Sequence, residues 1–167
     1  HDLPIEIATE YSLAPGENFV RITTTIKNDG ATDLGIPIGD WVNGGGEGEI
    51  FFPGLGYGGT SGSGMLVRFD ADYMAWVASG PTMAGVSYGY IPDAQGGNDA
   101  VSNSGLNIFL HDASIFDLIF GATPHFVVPA GGTNSYSRRF VIGNGDTTPV
   151  SSVRDRQLGI PFGTVEG

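Results

Sequence analysis

The chain has 167 residues, enough for one domain with a substantial core, and its 40% hydrophobic content excludes wholesale disorder. Seven Lys and Arg against 18 Asp and Glu give a formal net charge of −11, which makes nucleic acid and anionic membranes unfavourable partners. The chain has no Cys, so disulfides, thiolate metal sites and cysteine catalysis are excluded. With 28 Gly and 10 Pro, the composition favours many short strands joined by turns.

Segments in which apolar and polar residues alternate, bounded by turn residues, predict β-strands along most of the chain. The first strand is predicted over IEIATEY (5–11) and the second over FVRITTTIKN (19–28). MLVRFDADYMAWVAS (65–79) predicts two strands joined by a corner at residues 70–72. Further strands are predicted at 85–92, 106–112, 125–130 and 134–144. The predicted fold is therefore all-β, an antiparallel β-sandwich.

Two segments depart from this pattern. SIFDLIFG (114–121) is compatible with either a helical turn or a strand. Residues 147–167 show little alternation, and we expect them to form a linker or the start of a following β module outside a sandwich domain of residues 1–146. The alternative is a last edge strand that folds back on the sandwich. The chain opens at His1 without Met or a signal peptide, which suggests a processed or excised piece of a longer protein.

Three segments together resemble the galactose-mutarotase-like β-sandwich, or supersandwich, in a shortened form. They are YSLAPGENFVRITTTIKNDG (11–30), IPIGDWVNGGGEGEI (36–50) and FVVPAGGTNSYSRRFVI (126–142). In the family's epimerases, a His protonates the sugar ring oxygen and a Glu takes the proton from the hydroxyl. That His would fall near Asp40, Trp41 and Val42, and the Glu would precede the closing hairpin, where this chain has Asp117 and His125. The resemblance thus implies the scaffold without the acid and base that ring opening needs.

We therefore predict that the chain has no catalytic residues and that it is a non-catalytic accessory or scaffold module. The resemblance extends to large secreted bacterial multidomain proteins, which implies an extracellular or cell-surface location and neighbouring domains as partners. A first alternative is a carbohydrate-binding module. A second alternative is a divergent sugar-active enzyme that uses Asp117, His125 or His111 as replacements.

The candidate binding residues lie in and beside a glycine-rich stretch at 44–64, which we expect to be an irregular crossover of the sandwich. Sugar-binding sandwiches stack a pyranose on an exposed aromatic ring, so Trp41, Asn43, Glu47 and Tyr57 are the candidate glycan ligands. The alternative is that Trp41 and Trp76 fill the core. No cofactor is expected apart from a structural Ca²⁺ at Asp70 and Asp72, for which the alternative is a solvated turn.

Overall fold

The computed structural model describes residues 3–43, 48–58, 65–78, 85–93, 97–103, 106–121 and 125–161. Within these ranges the chain forms thirteen strands and two helices. The strands are β1 (Ile5–Ser12), β2 (Phe19–Asn28), β3 (Leu34–Gly35), β4 (Ile38–Asn43), β5 (Gly48–Phe52), β6 (Gly56–Gly58), β7 (Met65–Arg68), β8 (Met74–Ala78), β9 (Ser87–Pro92), β10 (Asp99–Asn103), β11 (Leu106–His111), β12 (Val127–Val128) and β13 (Thr133–Gly143). The helices are α1 (Ile115–Phe120) and α2 (Thr148–Leu158).

Two antiparallel sheets pack face to face, which confirms the predicted β-sandwich. The larger sheet has seven strands in the order β1-β2-β13-β9-β8-β5-β6. The smaller sheet has four strands in the order β4-β11-β10-β7, and β12 pairs with β3 in a separate ribbon. Strand β13 near the end of the chain lies between β2 and β9, so the large sheet depends on pairing between distant parts of the sequence.

The alternation in the sequence decides which side chains face the interior. Strand β2 covers the predicted residues 19–28, and its Thr24 and Ile26 are buried while Arg21 and Lys27 are exposed. Strands β7 and β8 flank the predicted corner, where Asp70 adopts a φ of 53°. A positive φ of this kind is tolerated best by Gly, Asn and Asp, so the acidic residue suits the turn.

The main core lies between the two sheets. The large sheet contributes Ile50, Phe52 and Trp76, and the small sheet contributes Ala100 and Phe109. All five are buried, so the alternative that the two tryptophans fill the core is confirmed for Trp76 and wrong for Trp41, which is 67% exposed. Burial of each large apolar side chain in such a cluster stabilises the fold by roughly 1.5–3 kcal/mol.

Helix α2 covers the outer face of the large sheet. Its Val150 and Val153 are fully buried in a second apolar cluster with Phe19 and Ile91. Gly89 on β9 lies directly beneath the Val150 side chain, and any larger residue there would overlap the Val150 methyl groups. The helix is therefore packed onto the sheet.

This helix differs from our expectation of a linker, a following β module or an edge strand from residue 147. Only two apolar residues of α2 are buried, Val150 and Val153, which leaves little hydrophobic pattern to detect. The sequence signals that do exist are Pro149 in the first turn and Gly159 at the end, which adopts a left-handed φ of 68°. Residues 162–167 lie outside the described residues.

The segment 114–121 forms a helical turn, the first of its two alternatives. The Ser114 side chain accepts a hydrogen bond from the Asp117 amide, and the Asp117 carboxylate accepts one from the Ser114 amide. This reciprocal capping satisfies free amides at the start of α1. Gly121 then ends the helix with a left-handed φ of 64°. Neither helix in the described ranges is long and apolar enough to cross a membrane.

Candidate functional site

A pocket of about 450 Å³ opens where the ends of β4 and β11 meet the first half of β13. We call it the polar pocket, because carboxylate, imidazole, amide and hydroxyl groups line it together with two aromatic rings. Its lining residues are Ile38, Asp93, His111, Asp112, His125, Phe126, Asn134, Ser135, Tyr136 and Ser137. Its volume lies within the range of small-molecule sites, roughly 300–1,000 Å³.

Two exposed side chains form the mouth of the polar pocket. His125 Nδ1 lies 3.7 Å from Asp112 Oδ1, close enough for an ion pair when the imidazole is protonated. Asp112 adopts a φ of 47°, a left-handed conformation that Asp tolerates better than most residues, as at Asp70. The mouth thus offers one carboxylate and one imidazole to a ligand.

His111 forms the back wall of the polar pocket. It pairs with Ile38 across β11 and β4, and this register turns its side chain into the space between the sheets. Only 1% of its surface is exposed, and its ring packs edge-on against Tyr136 and Phe109 at centroid distances of 5.6 and 5.7 Å. Neither ring nitrogen has a hydrogen-bond partner among the described residues.

The protonation state of His111 follows from this burial. Removal from water lowers its pKa from 6.5 to about 4, and the nearby Arg138 guanidinium acts in the same direction. The Asp40 carboxylate opposes the change without reversing it. The imidazole is therefore neutral at pH 7, so it has no imidazolium proton to donate there.

Asp40 and Arg138 form an ion pair in the interior behind the pocket. Arg138 Nη2 donates to Asp40 Oδ1 over 2.8 Å, and the Tyr90 hydroxyl donates to Oδ2. The Arg138 side chain is 6% exposed and also donates to Thr24. Burial works against the Arg138 charge, but the oxygens of Tyr90 and Asp40 outweigh it and raise the pKa of the guanidinium. The Asp40 carboxylate is thus engaged with a buried cation and a phenol.

Trp41 and Tyr57, the two aromatic residues among the predicted glycan ligands, do not come together. Trp41 projects from the outer face of the small sheet and is 67% exposed, while its neighbours Asp40 and Val42 point inward. Tyr57 lies on the outer face of the large sheet, 5.2 Å from the Phe51 ring between centroids. The two aromatic residues therefore occupy opposite faces of the sandwich.

The remaining glycan candidates are Asn43 and Glu47. Asn43 ends β4, where it pairs with Leu106 of β11. Glu47 and residues 44–46 and 59–64 of the glycine-rich stretch lie outside the described residues.

The candidate calcium ligands follow β7 on an exposed corner. Asp72 Oδ1 accepts a hydrogen bond of 2.9 Å from Arg154 Nη2, so a guanidinium already occupies this carboxylate oxygen. Asp70 is exposed, and its amide lies 3.3 Å from Asp99 Oδ1. In the described part of the chain, no group of three or more His, Cys, Asp or Glu residues is arranged to hold a metal.

The three residues of the enzyme alternative are divided between two places. His111 and His125 both line the polar pocket. Asp117 instead caps α1, and the hydrogen bond from the Ser114 amide lowers the pKa of its carboxyl. The Asp117 carboxylate therefore caps the first turn of α1, and it does not line the polar pocket.

Sequence reasoning did not single out Asp40, Arg138 and Tyr136 as neighbours of one site. They come from β4 and β13, nearly 100 residues apart, and only the sheet pairing and packing bring them together. Alternation in SYSRRFVI does show that Tyr136 and Arg138 share one face of β13, which is the signal that was available. Arg138 lies 4.9 Å from the Tyr136 ring centroid.

Comparison with known proteins supports the fold. No protein-family model matches the chain, and no curated protein matches it. The structure is similar to the Slr1438 protein of Synechocystis sp. PCC 6803, with 14% identity and a TM-score of 0.53 over 85% of this chain and 56% of that one. It is also similar to a proposed aldose 1-epimerase from Klebsiella pneumoniae subsp. pneumoniae MGH 78578, with 11% identity and a TM-score of 0.56 over 93% of this chain and 50% of that one.

The chain spans about half the length of the solved structures it resembles. Identities this low support a shared fold and do not show a shared activity. The chain has a β-sandwich fold of the aldose-epimerase, galactose-mutarotase-like kind.

Proposed function

We propose that the chain is a non-catalytic accessory module of a larger secreted or surface protein of a bacterium. The observation that carries this proposal is the engagement of Asp40 with Arg138 and Tyr90. In the segment where the family resemblance places the epimerase acid, the available carboxylate is thus paired with a buried cation. Both oxygens of this carboxylate already accept hydrogen bonds from protein donors, which leaves it poorly placed to contact a substrate.

The state of His111 supports the same proposal. General acid catalysis is most effective when the pKa of the acid lies near the working pH. A His with a pKa of about 4 is almost entirely deprotonated at pH 7, and it is a weak base.

Polarimetry of α-D-glucose and α-D-galactose at pH 7 tests the absence of catalysis. We expect the rate of mutarotation to stay at the buffer rate at every protein concentration. A rate that rises with protein concentration, and that falls to the buffer rate in His111→Leu or His125→Gln, would contradict the proposal. The full gene product tests the accessory role, since we expect further domains in it.

We propose saccharide binding as a second function, and the polar pocket is the observation that favours it. Two aromatic rings, Phe126 and Tyr136, lie beside the hydrogen-bonding groups of Asn134, Asp112 and His125. A neutral sugar needs both kinds of contact, an apolar surface for its C–H face and polar groups for its hydroxyls. The exposed Trp41 on the opposite side of the small sheet is a separate candidate platform.

A titration of the ¹⁵N-labelled chain with neutral monosaccharides and disaccharides distinguishes the two surfaces. If the pocket binds, His125→Ala should weaken binding several-fold because it removes one polar contact, while Trp41→Ala leaves the affinity unchanged. The reverse pattern would place binding at Trp41. Resonances that move with none of the sugars tested would contradict saccharide binding.

A further inference from the structure

Three of the few positively charged side chains of this protein line one pocket. The whole chain has seven Lys and Arg, and three of them line a pocket of about 200 Å³ between α2 and the outer face of the large sheet. We call it the arginine pocket, and its three cationic residues are Arg21 on β2, Arg139 on β13 and Arg156 on α2. A chain with a formal net charge of −11 therefore presents a local cluster of guanidinium groups.

Two of these arginines lie directly opposite each other on neighbouring strands. Arg139 pairs with Arg21 across β13 and β2, and their side chains share the outer face of the sheet. Like charges in this position destabilise a sheet. Asp93 lies between them, with 3.0 Å from its Oδ2 to Arg21 Nη1 and 3.1 Å from its Oδ1 to Arg139 Nη2. One carboxylate thus serves two cations.

Arg139 is largely buried in this arrangement. Its side chain is 13% exposed, and its guanidinium carbon lies 5.4 Å from the centroid of the Phe19 ring. Burial lowers the pKa of its guanidinium, the carboxylates of Asp93 and Glu17 raise it, and the charges of Arg21 and Arg154 lower it further. The lowering wins, so the Arg139 charge is not fully stabilised by its surroundings.

Arg156 adds the third guanidinium from the last turn of α2. Its Nε donates to the Ser152 carbonyl over 3.3 Å, and it takes part in no salt bridge within the described ranges. Glu17 also lines the pocket and contributes one negative charge. Three guanidiniums therefore face two carboxylates, those of Asp93 and Glu17, which leaves one formal positive charge uncompensated.

We propose that the arginine pocket binds a small oxyanion, a carboxylate or phosphate group. Guanidinium groups present paired N–H donors that match the oxygens of such groups, and these charge-assisted hydrogen bonds are stronger than neutral ones. The acidic surface elsewhere repels anions, so binding is expected at this position and nowhere else on the described surface. The Gln157 amide also lines the pocket, but its Nε2 already donates to Asp93 Oδ1 and to the Pro92 carbonyl, so the guanidiniums are the donors for the anion.

Anion titrations of the ¹⁵N-labelled 167-residue chain test the proposal at low ionic strength. The probes are inorganic phosphate as a free anion, glucuronate as a carboxylate on a sugar, and glucose as its neutral counterpart, with chloride at matched ionic strength as the background. Arginine Nε–H resonances report on the pocket. We expect phosphate or glucuronate to move those of Arg139 and Arg156 in a saturating way and glucose to leave them in place. A response to glucuronate but not to phosphate would identify an acidic saccharide as the source of the oxyanion, and the reverse would identify a free anion.

Charge-removing variants separate a specific site from general attraction. Arg156→Gln and Arg21→Gln should each weaken anion binding by roughly tenfold or more, because each removes a charge-assisted donor. Lys27→Gln is the matched control, since it removes the same charge from the same strand, roughly 20 Å away along β2. Thermal melts establish that each variant is folded. Equal losses in Lys27→Gln and Arg156→Gln, or no saturable shift with either anion, would overturn the proposal.

Discussion

Acidification is expected to destabilise the fold through the buried His111. In the folded chain, burial lowers the pKa of His111 to about 4, and the Arg138 charge contributes. In the unfolded chain, the same imidazole has its ordinary pKa of about 6.5. Between pH 6.5 and pH 4, the unfolded state therefore binds a proton that the folded state does not.

The sign and size of the effect follow from this difference. A group that binds its proton more readily in the unfolded state lowers the free energy of unfolding as the pH falls, so stability is lost from pH 6.5 down to pH 4. The two pKa values are about 2.5 apart, and each pKa unit corresponds to about 1.4 kcal/mol. His111 alone should thus lower the free energy of unfolding by about 3 kcal/mol by pH 4.

Urea denaturation of the native chain and of His111→Leu, at steps from pH 7 to pH 4, measures this contribution. Leucine has a similar volume and no titratable group, and it replaces an imidazole whose nitrogens lack partners in the described structure. Other groups titrate alike in both proteins, so the difference between the two curves isolates His111. The native chain should lose about 3 kcal/mol more than the variant. Parallel curves would refute the assignment of a buried, neutral imidazole.

Three further substitutions test the packing and polar contacts by urea denaturation. Asp40→Ala should lower the free energy of unfolding by about 3 kcal/mol, because it leaves Arg138 buried without its counter-ion; a loss below about 1 kcal/mol would show that water reaches the guanidinium. Gly89→Ala should cost about 1–3 kcal/mol by overlapping Val150, and adding Val150→Ala should recover part of that loss if this contact is the cause. Ser114→Ala should cost about 1 kcal/mol through the lost cap of α1, and unchanged amide exchange in that helix would contradict the capping role.

Several strands of this sandwich could be predicted because their signal is local. The glycine-rich stretch was expected to be an irregular crossover, and this was wrong for its described part, where β5 and β6 form. In FVRITTTIKN, alternation over ten residues matches β2, and the corner at Asp70 lies between β7 and β8. One face of each of these strands is buried, so the period of two appears in the sequence. The order of the strands in the sheet could not be predicted in the same way, because β13 pairs with β2 and β9, whose residues are more than 40 positions away in the sequence.

Helix α2 could not be recognised from periodicity, for a physical reason. It contacts the sheet mainly through Val150 and Val153, and the third buried residue is Arg154. The aliphatic part of an arginine side chain can cover apolar surface while its guanidinium forms an ion pair, as that of Arg154 does with Asp72. A charged residue therefore occupies a buried position of the helix, which hides the apolar pattern. Only the termini of the helix, at Pro149 and Gly159, carried a readable signal.

The candidate site was harder to predict than the strands, because strand pairing decides which of its side chains are buried and which are exposed. His111 and Asp112 are adjacent in sequence, yet the imidazole is buried and the carboxylate is exposed at the mouth of the polar pocket. The sequence shows that His111 and Asp112 lie at the end of one strand, but only the register of β11 with β4 decides which side chain faces the interior. The exposure of Trp41 depends on the same register.

The interior behind the polar pocket links the fold to the proposed function. A buried ion pair such as Asp40 with Arg138 gains little stability over apolar packing, because desolvation of both charges offsets their attraction. It does remove a free carboxylate from the interior, while burial keeps His111 neutral. The polar groups left open to a ligand are then at the mouth, where Asp112 and His125 are exposed to water. Groups in that position can form hydrogen bonds with a bound molecule, whereas ring opening needs an acid and a base held on opposite sides of one sugar. This division of the pocket supports the proposal of binding without turnover.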